Sequence, residues 1–292
     1  MKDSFTNPRP FDRAFEEDSH EESTPHFDLS RKKCPHRMTI TLPRPFQVVA
    51  LALFALGDAN AAIALSNGVP YTQDFDTLPY LGSVNVKVTL PDYWTFSEAG
   101  SNADEIYAAS TGIDATGGTY SYGSNLSFSR RDRAFGSLRN AACVSTFGAS
   151  FTNNVGVGTI DISISYIGEQ WRLGTTDRTD RLNFQYSTNA TSITTGTWVD
   201  FDALDFMAPT TTGTFGAIDG NADENRTGIL GTISSVSVAD GATFWIRWSD
   251  FDATNADDGL AVDDFTIIAI PEPTTGALVV LGLAVICRRR RS

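Results

Sequence analysis

Residues 65–269 predict an all-β fold, a two-sheet sandwich, and three observations predict it. Apolar and polar residues alternate over short runs. Gly, Thr, Ser, Asn and Asp are dense while Lys is confined to Lys87, and turn-rich segments such as 112–118 and 219–225 separate the runs. The sandwich is expected to be flanked by an N-terminal signal peptide and a single C-terminal transmembrane helix. The organisation is therefore 1–37, a disordered extension or misassigned start; 38–61, signal peptide; 62–270, β-sandwich; and 271–292, a tail with one transmembrane segment.

In chain order, residues 1–37 are highly charged and without periodicity. Met38 offers a second start with the short leader MTITLPRP. The apolar run FQVVALALFAL at 46–56 follows Arg44, and Ala59 and Ala61 supply the small-x-small pattern for cleavage before Ala62. Its length suits a signal-peptide core and falls short of a bilayer span.

The strands are read from parity. In 159–167, Ile160, Ile162, Ile164 and Tyr166 take one face and Asp161, Ser163 and Ser165 the other, the pattern of a half-buried strand. Leu182, Phe184 and Tyr186 point inward on the next strand, and Phe244, Ile246 and Trp248 oppose Trp245 and Arg247. Further strands are expected at 84–90, 93–97, 124–129, 143–151, 197–202, 228–235 and 260–268. The chain shows no internal repeat.

At the far end, Pro271, Glu272 and Pro273 precede the apolar run TTGALVVLGLAVIC and then Arg288, Arg289, Arg290 and Arg291. The arginines hold such a tail on the cytoplasmic side while the apolar segment threads the inner membrane, and the prolines keep the preceding peptide extended. This order resembles the PEP-CTERM sorting signal of Gram-negative bacteria. The resemblance implies an exosortase-type enzyme as processing partner, export through the inner membrane with transient anchoring, and a final place at the cell surface or outside the cell. Across 71–268 the segments YTQDFDTLP, RAFGSL, SYIGEQWR, LNFQYS, WVDFDALDF, FWIRWSDFD and GLAVDDFTI are together similar to a jelly-roll domain of PEP-CTERM and lamin-tail-associated surface proteins. That resemblance implies a fold and an extracellular context, without an established activity.

Charge and rare residues bound the function. Residues 62–270 hold 25 acidic side chains against 10 basic ones, a surface that repels phosphate backbones and argues against nucleic acid as a partner. Of the three cysteines, only Cys143 lies in the domain, so no disulfide forms within it. All three histidines, His20, His26 and His36, precede the signal peptide. The exported domain then lacks the imidazole that a Ser-His-Asp or Cys-His mechanism requires. A carboxylate pair for glycoside cleavage needs only two acids at suitable separation, but no pair stands out among Glu98, Glu105, Glu169, Glu224 and the aspartates.

Two constellations remain. Asp74, Asp76 and Asp263 place acids near the first and last strands. In related jelly-roll sugar-binding domains such acids clasp a structural calcium, which makes these three the candidate ligands here. Asp263 shares parity with Phe265 and Ile267, so its carboxylate is expected to face apolar surroundings and to need a partner. The loop acids Asp250, Asp252, Asp257 and Asp258 do not form an EF-hand, because Asn255 stands where glycine is needed and the distal Glu is missing; the alternative to a calcium clasp leaves these loop acids solvated while Asp263 accepts backbone hydrogen bonds or pairs with an arginine. The second constellation is Glu169, Gln170, Trp171 and Arg172, where an indole beside polar groups suits a sugar ring and equally suits a core cap with structural ion pairs. The functional expectation is a non-catalytic matrix protein that binds or organises extracellular polysaccharide. A glycan-active hydrolase or lyase of the same architecture, and a purely structural matrix component, are the alternatives.

Overall fold

The computed structural model describes residues 62–124 and 132–272. The expectations for 1–61, for 125–129 and for the tail from Pro273 onward fall outside the described residues. Among the described residues, no helix is long and apolar enough to cross a membrane. The strands in chain order are β1 (Ile63–Ser66), β2 (Tyr71–Gln73), β3 (Asn85–Val86), β4 (Trp94–Ala99), β5 (Ile106–Ser110), β6 (Gly118–Tyr122), β7 (Ala134–Leu138) and β8 (Val144–Asn154). They continue as β9 (Thr159–Leu173), β10 (Arg181–Ser187), β11 (Val199–Asp200), β12 (Phe206–Met207), β13 (Gly216–Ala217), β14 (Arg226–Ser237), β15 (Thr243–Asp250) and β16 (Gly259–Pro271).

They form the expected two-sheet sandwich. The first sheet runs β1-β8-β15-β10-β11, with β4 also on β8 and β12 on β10; the second runs β13-β9-β16-β7-β6-β5-β3, with β14 on β9 and β2 on β16. Both sheets are mixed, because β1 runs parallel to β8 and β5 to β6.

Strand parity fills the space between the sheets. Ile160, Ile162, Ile164 and Tyr166 of β9 face Leu182 and Phe184 of β10 and Phe244, Ile246 and Trp248 of β15 in one continuous core. Trp248 is its hub, stacked on Phe147 at 5.7 Å and on Trp94 at 6.2 Å, with Tyr166, Phe184 and Phe265 edge-on around it. Aromatic pairs in such offset and edge-to-face geometries add stability beyond the area they bury. The Tyr166 hydroxyl is also satisfied, donating to the Leu204 carbonyl at 2.6 Å.

Two expected strands are much shorter than their alternation implied. Within 84–90 only Asn85 and Val86 pair, with β5, before a 3-10 turn at Lys87–Thr89. Val84, Val86 and Val88 are exposed; at this outermost strand of the sheet, no layer covers them. Likewise 197–202 supplies only Val199 and Asp200, after which Asp202–Leu204 forms another 3-10 turn. The reverse error concerns β5, β6 and β7, whose Ala, Gly, Ser and Tyr content concealed them.

A bulge in β16 corrects the expected setting of Asp263. The register against β9 shifts between Asp263 and Thr266, and Asp264 takes a left-handed conformation with φ 48°, which Asp tolerates better than most residues. One extra residue reverses parity. Leu260 and Val262 before the bulge, and Phe265, Ile267 and Ala269 after it, all reach the main core. Asp263 is thereby turned away from Phe265 and Ile267 and onto the outer face of the second sheet.

Candidate functional site

That outer face carries a small second core of Tyr120, Tyr122, Ala134, Leu138, Trp171 and Ala261. Beside it, three adjacent strands bring together Asp263 of β16, Glu169 of β9 and Asp132, which directly precedes Arg133 and β7. One carboxylate oxygen from each lies within 4.8 Å of the others. Ala261 is registered opposite Glu169 and Asp263 opposite Ile167, so the two acids are diagonal neighbours on one face.

Asp263 and Glu169 are buried while Asp132 is exposed. The Asp263 Oδ1 atom is buried without a hydrogen-bond partner. Burial, with the Glu169 charge adding to it, pushes the Asp263 carboxyl up to about 9. Glu169 is raised to about 8 by burial, against the opposing effect of a hydrogen bond from Trp171.

Of the three acids read from sequence as a calcium set, one lies in this cluster. Asp263 belongs to the centre, but its companions are Glu169 and Asp132. Asp74 is exposed at the surface, where its Oδ1 accepts the Asp76 amide at 3.3 Å. Asp76 spends its own Oδ1 on the Arg133 amide at 3.2 Å. Asp132 escaped notice because it lies in the charged run RRDR. Its position two residues before Ala134, on the outward parity of β7, was the available signal.

The Glu169–Gln170–Trp171–Arg172 quartet is not an open sugar platform. Trp171 is 0% exposed; it stacks on Tyr122 with centroids 5.9 Å apart and planes 6° from parallel, and its Nε1 donates to Glu169 Oε2 at 2.9 Å. Gln170 points to the opposite face and donates to the Thr210 carbonyl and to Asp258 Oδ2, both at 2.9 Å. Arg172 donates to the Gly112 carbonyl at 3.0 Å. Gly220 closes over the indole, and a Cβ there would come within 2.4 Å of the ring.

Three of the loop acids expected to be solvated are also enclosed, because the loop after β15 folds back on the loop after β9. Asp258 Oδ1 accepts the Gly174 amide at 2.7 Å, and the Asp258 amide donates to Asp180 Oδ2 at 2.7 Å. Arg178 lies between them, 3.1 Å from Asp180 and 3.3 Å from Asp258. Asp257 accepts the Ala253 amide at 3.0 Å, and Asp250 accepts the Ser137 hydroxyl at 2.7 Å. Burial, reinforced by the Asp180 charge, raises Asp257 to about 7; burial also raises Asp258 to about 6 and Asp250 well above the usual carboxylate range. Only Asp252 remains exposed, paired with Arg139 at 3.2 Å.

Chemically, then, the folded part is an all-β sandwich with a largely buried carboxylate cluster on one outer face and an acid-rich loop clasp at one end. The chain carries the PEP-CTERM protein-sorting motif over residues 269–291, which marks it as a secreted, cell-surface-targeted protein and implies processing by an exosortase-class enzyme. No curated protein matches it in sequence.

Among solved structures, it is similar to the K3 cleaved adhesin domain of Lys-gingipain from Porphyromonas gingivalis W83, with 12% identity and a TM-score of 0.39 over 68% of this chain and 97% of that one. The xylan-binding domain from CBM 22 matches with 8% identity and a TM-score of 0.31, over 66% of this chain and 97% of that one. The TmCBM61 structure in complex with β-1,4-galactotriose matches with 9% identity and a TM-score of 0.26, over 48% and 72% respectively.

Proposed function

We propose that the exported sandwich binds or organises extracellular polysaccharide without cleaving it, and that its carboxylate centre holds a structural calcium ion. Burial of the centre supports the absence of cleavage and the ion, and the surface destination carried by the sorting motif supports an extracellular ligand. Glycoside cleavage needs two carboxyl groups on either side of a bound sugar, whereas Glu169 and Asp263 are both buried in one cluster, with Glu169 held by the buried Trp171. Their grouping serves the fold, and the outer surfaces are left for recognition.

The donor set fits a hard cation. All three ligands are carboxylates, and oxygens bound to one calcium at about 2.4 Å stand at most about 4.8 Å apart. The unpartnered Asp263 Oδ1 is the buried acceptor that such an ion would satisfy, and the exposed Asp132 lies on the solvent side. Calcium would supply charge neutralisation that ties β7, β16 and β9 together. Asp74 and Asp76 stand outside this set.

A glycan array probed with the full chain exported from an exosortase-bearing host, followed by product analysis of each bound glycan, tests the reading. Retention without product is expected. Released oligosaccharides would favour the hydrolase or lyase, and a blank array the purely structural matrix component.

A further inference from the structure

The outer face of the first sheet carries a groove that neither the sorting motif nor the carboxylate centre uses. Its floor is built by register: Ser150 of β8 lies opposite Trp245 of β15, while Thr95 and Ser97 of β4 take the same outward parity. The loop at 188–198 forms one wall, packing Ala190 and Ile193 against Trp245. Tyr93 lines the groove with 42% of its surface exposed, on a left-handed backbone at φ 67°. The cavity is about 400 Å³, within the roughly 300–1,000 Å³ of small-ligand sites.

We infer that this groove is a binding site for a neutral oligosaccharide segment, with Tyr93 and Trp245 as its aromatic contacts. The inference rests on the polysaccharide-binding reading above and assigns it a place and a sugar class. The apolar C–H face of a pyranose packs on an aromatic ring while its hydroxyls exchange hydrogen bonds with a polar lining, and this groove offers both kinds of surface. The indole Nε1 of Trp245 is buried without a hydrogen-bond partner, an uncommon state for a group that normally finds one when buried. We assign the missing acceptor to a sugar oxygen at the groove edge of the ring.

Charge decides the class. The lining cation, Lys87, is already paired with Glu105. The nearby Arg247 is committed to Gln185 Oε1 at 2.7 Å, to the Ile193 carbonyl at 2.8 Å and to the Trp198 ring at 3.8 Å. With the chain at net −13, and with no uncommitted positive charge among the described residues lining the groove, neutral glycans are favoured over a uronate or phosphate chain.

The test measures binding of cellohexaose and xylohexaose, with oligogalacturonate as the anionic comparator, to the full exported chain and three variants. Tyr93→Asn removes the ring while keeping a residue that tolerates positive φ; Trp245→Phe removes the N–H while keeping an aromatic body. Met207→Ala changes an exposed residue at a separate hollow beside Arg181. Tyr93→Asn is expected to weaken binding of a neutral hexaose at least tenfold, Trp245→Phe about fivefold, and Met207→Ala not at all. If Trp245→Phe proves unfolded by its melting temperature, Tyr93→Asn alone decides. Full affinity in a folded Tyr93→Asn protein would overturn the groove assignment and leave polysaccharide binding standing. Failure of the unaltered chain to bind any of these probes would overturn both, and tighter binding of oligogalacturonate would overturn the neutral class.

Discussion

Replacing Trp171 separates a structural indole from a sugar-binding one. The side chain is fully buried, stacked on Tyr122, pressed by Gly220 and bonded to Glu169. Trp171→Ala removes that packing at a cost of about 3–5 kcal/mol. For a domain of this size, where 1 kcal/mol moves the midpoint by about 2–4 °C, the melting temperature should fall by about 6–20 °C. Trp171→Phe retains much of the stacking but strands the Glu169 acceptor. Leaving a buried acceptor unsatisfied costs about 1–3 kcal/mol, so a drop of about 2–12 °C is expected. Thermal unfolding followed by near-ultraviolet circular dichroism measures both, with glycan binding by the Phe variant recorded in parallel. A melting temperature unchanged in Trp171→Phe, together with lost glycan affinity, would refute the structural assignment and restore Trp171 as a binding platform.

Chelation should lower the melting temperature: an ion present at 100 times its dissociation constant contributes about 2.7 kcal/mol, or about 5–10 °C here. Calcium should restore it, Asp263→Asn should abolish the response, and no shift on chelation would remove the calcium proposal. Gly220→Ala drives a methyl into the Trp171 ring and should destabilise by about 1–3 kcal/mol in denaturant unfolding. The loop clasp gives a pH dependence. Asp257 and Asp258 are raised to about 7 and about 6 in the fold, above their unfolded values, so their stabilising effect is present below about pH 4 and is lost as pH rises through 6–7. At saturating calcium, Asp257→Asn should therefore gain stability relative to the unaltered chain between pH 5 and 8; a constant difference across that range would contradict the assigned shift.

The fold was legible where side chains had one clear partner layer. The alternation of β9 and β15 told inside from outside because one face of each strand meets the main core, and the Pro-Glu-Pro tail declared itself by order alone. What misled was context that a single strand does not carry. The valines of 84–90 have the right period but no covering layer, and Trp171 and Glu169 occupy outward positions that a second small core then buries. The loop acids resemble solvated ones in sequence, and only the fold-back of 251–258 onto 174–180 encloses them. The groove was unreadable for the same reason, since Tyr93 and Trp245 are 152 residues apart and meet only through the pairing of β4, β8 and β15.

The least legible feature is the one on which the carboxylate centre depends. Without the bulge at Asp264, Asp263 would share the parity of Phe265, as the sequence implies, and a carboxylate would enter the aromatic core beside Trp248 at a cost that no partner there could offset. With the bulge, the acid leaves the core and joins Glu169, while Phe265, Ile267 and Ala269 return to it. The same correction keeps β16 in register with β9 as far as Pro271 opposite Ile160. Glu272 then lies against the sandwich, its amide donating to the Thr159 carbonyl at 3.4 Å and its carboxylate accepting the Ser235 hydroxyl at 2.6 Å. Of the sorting tripeptide, Pro271 therefore ends a folded strand and Glu272 is hydrogen-bonded to the rim of the sheet.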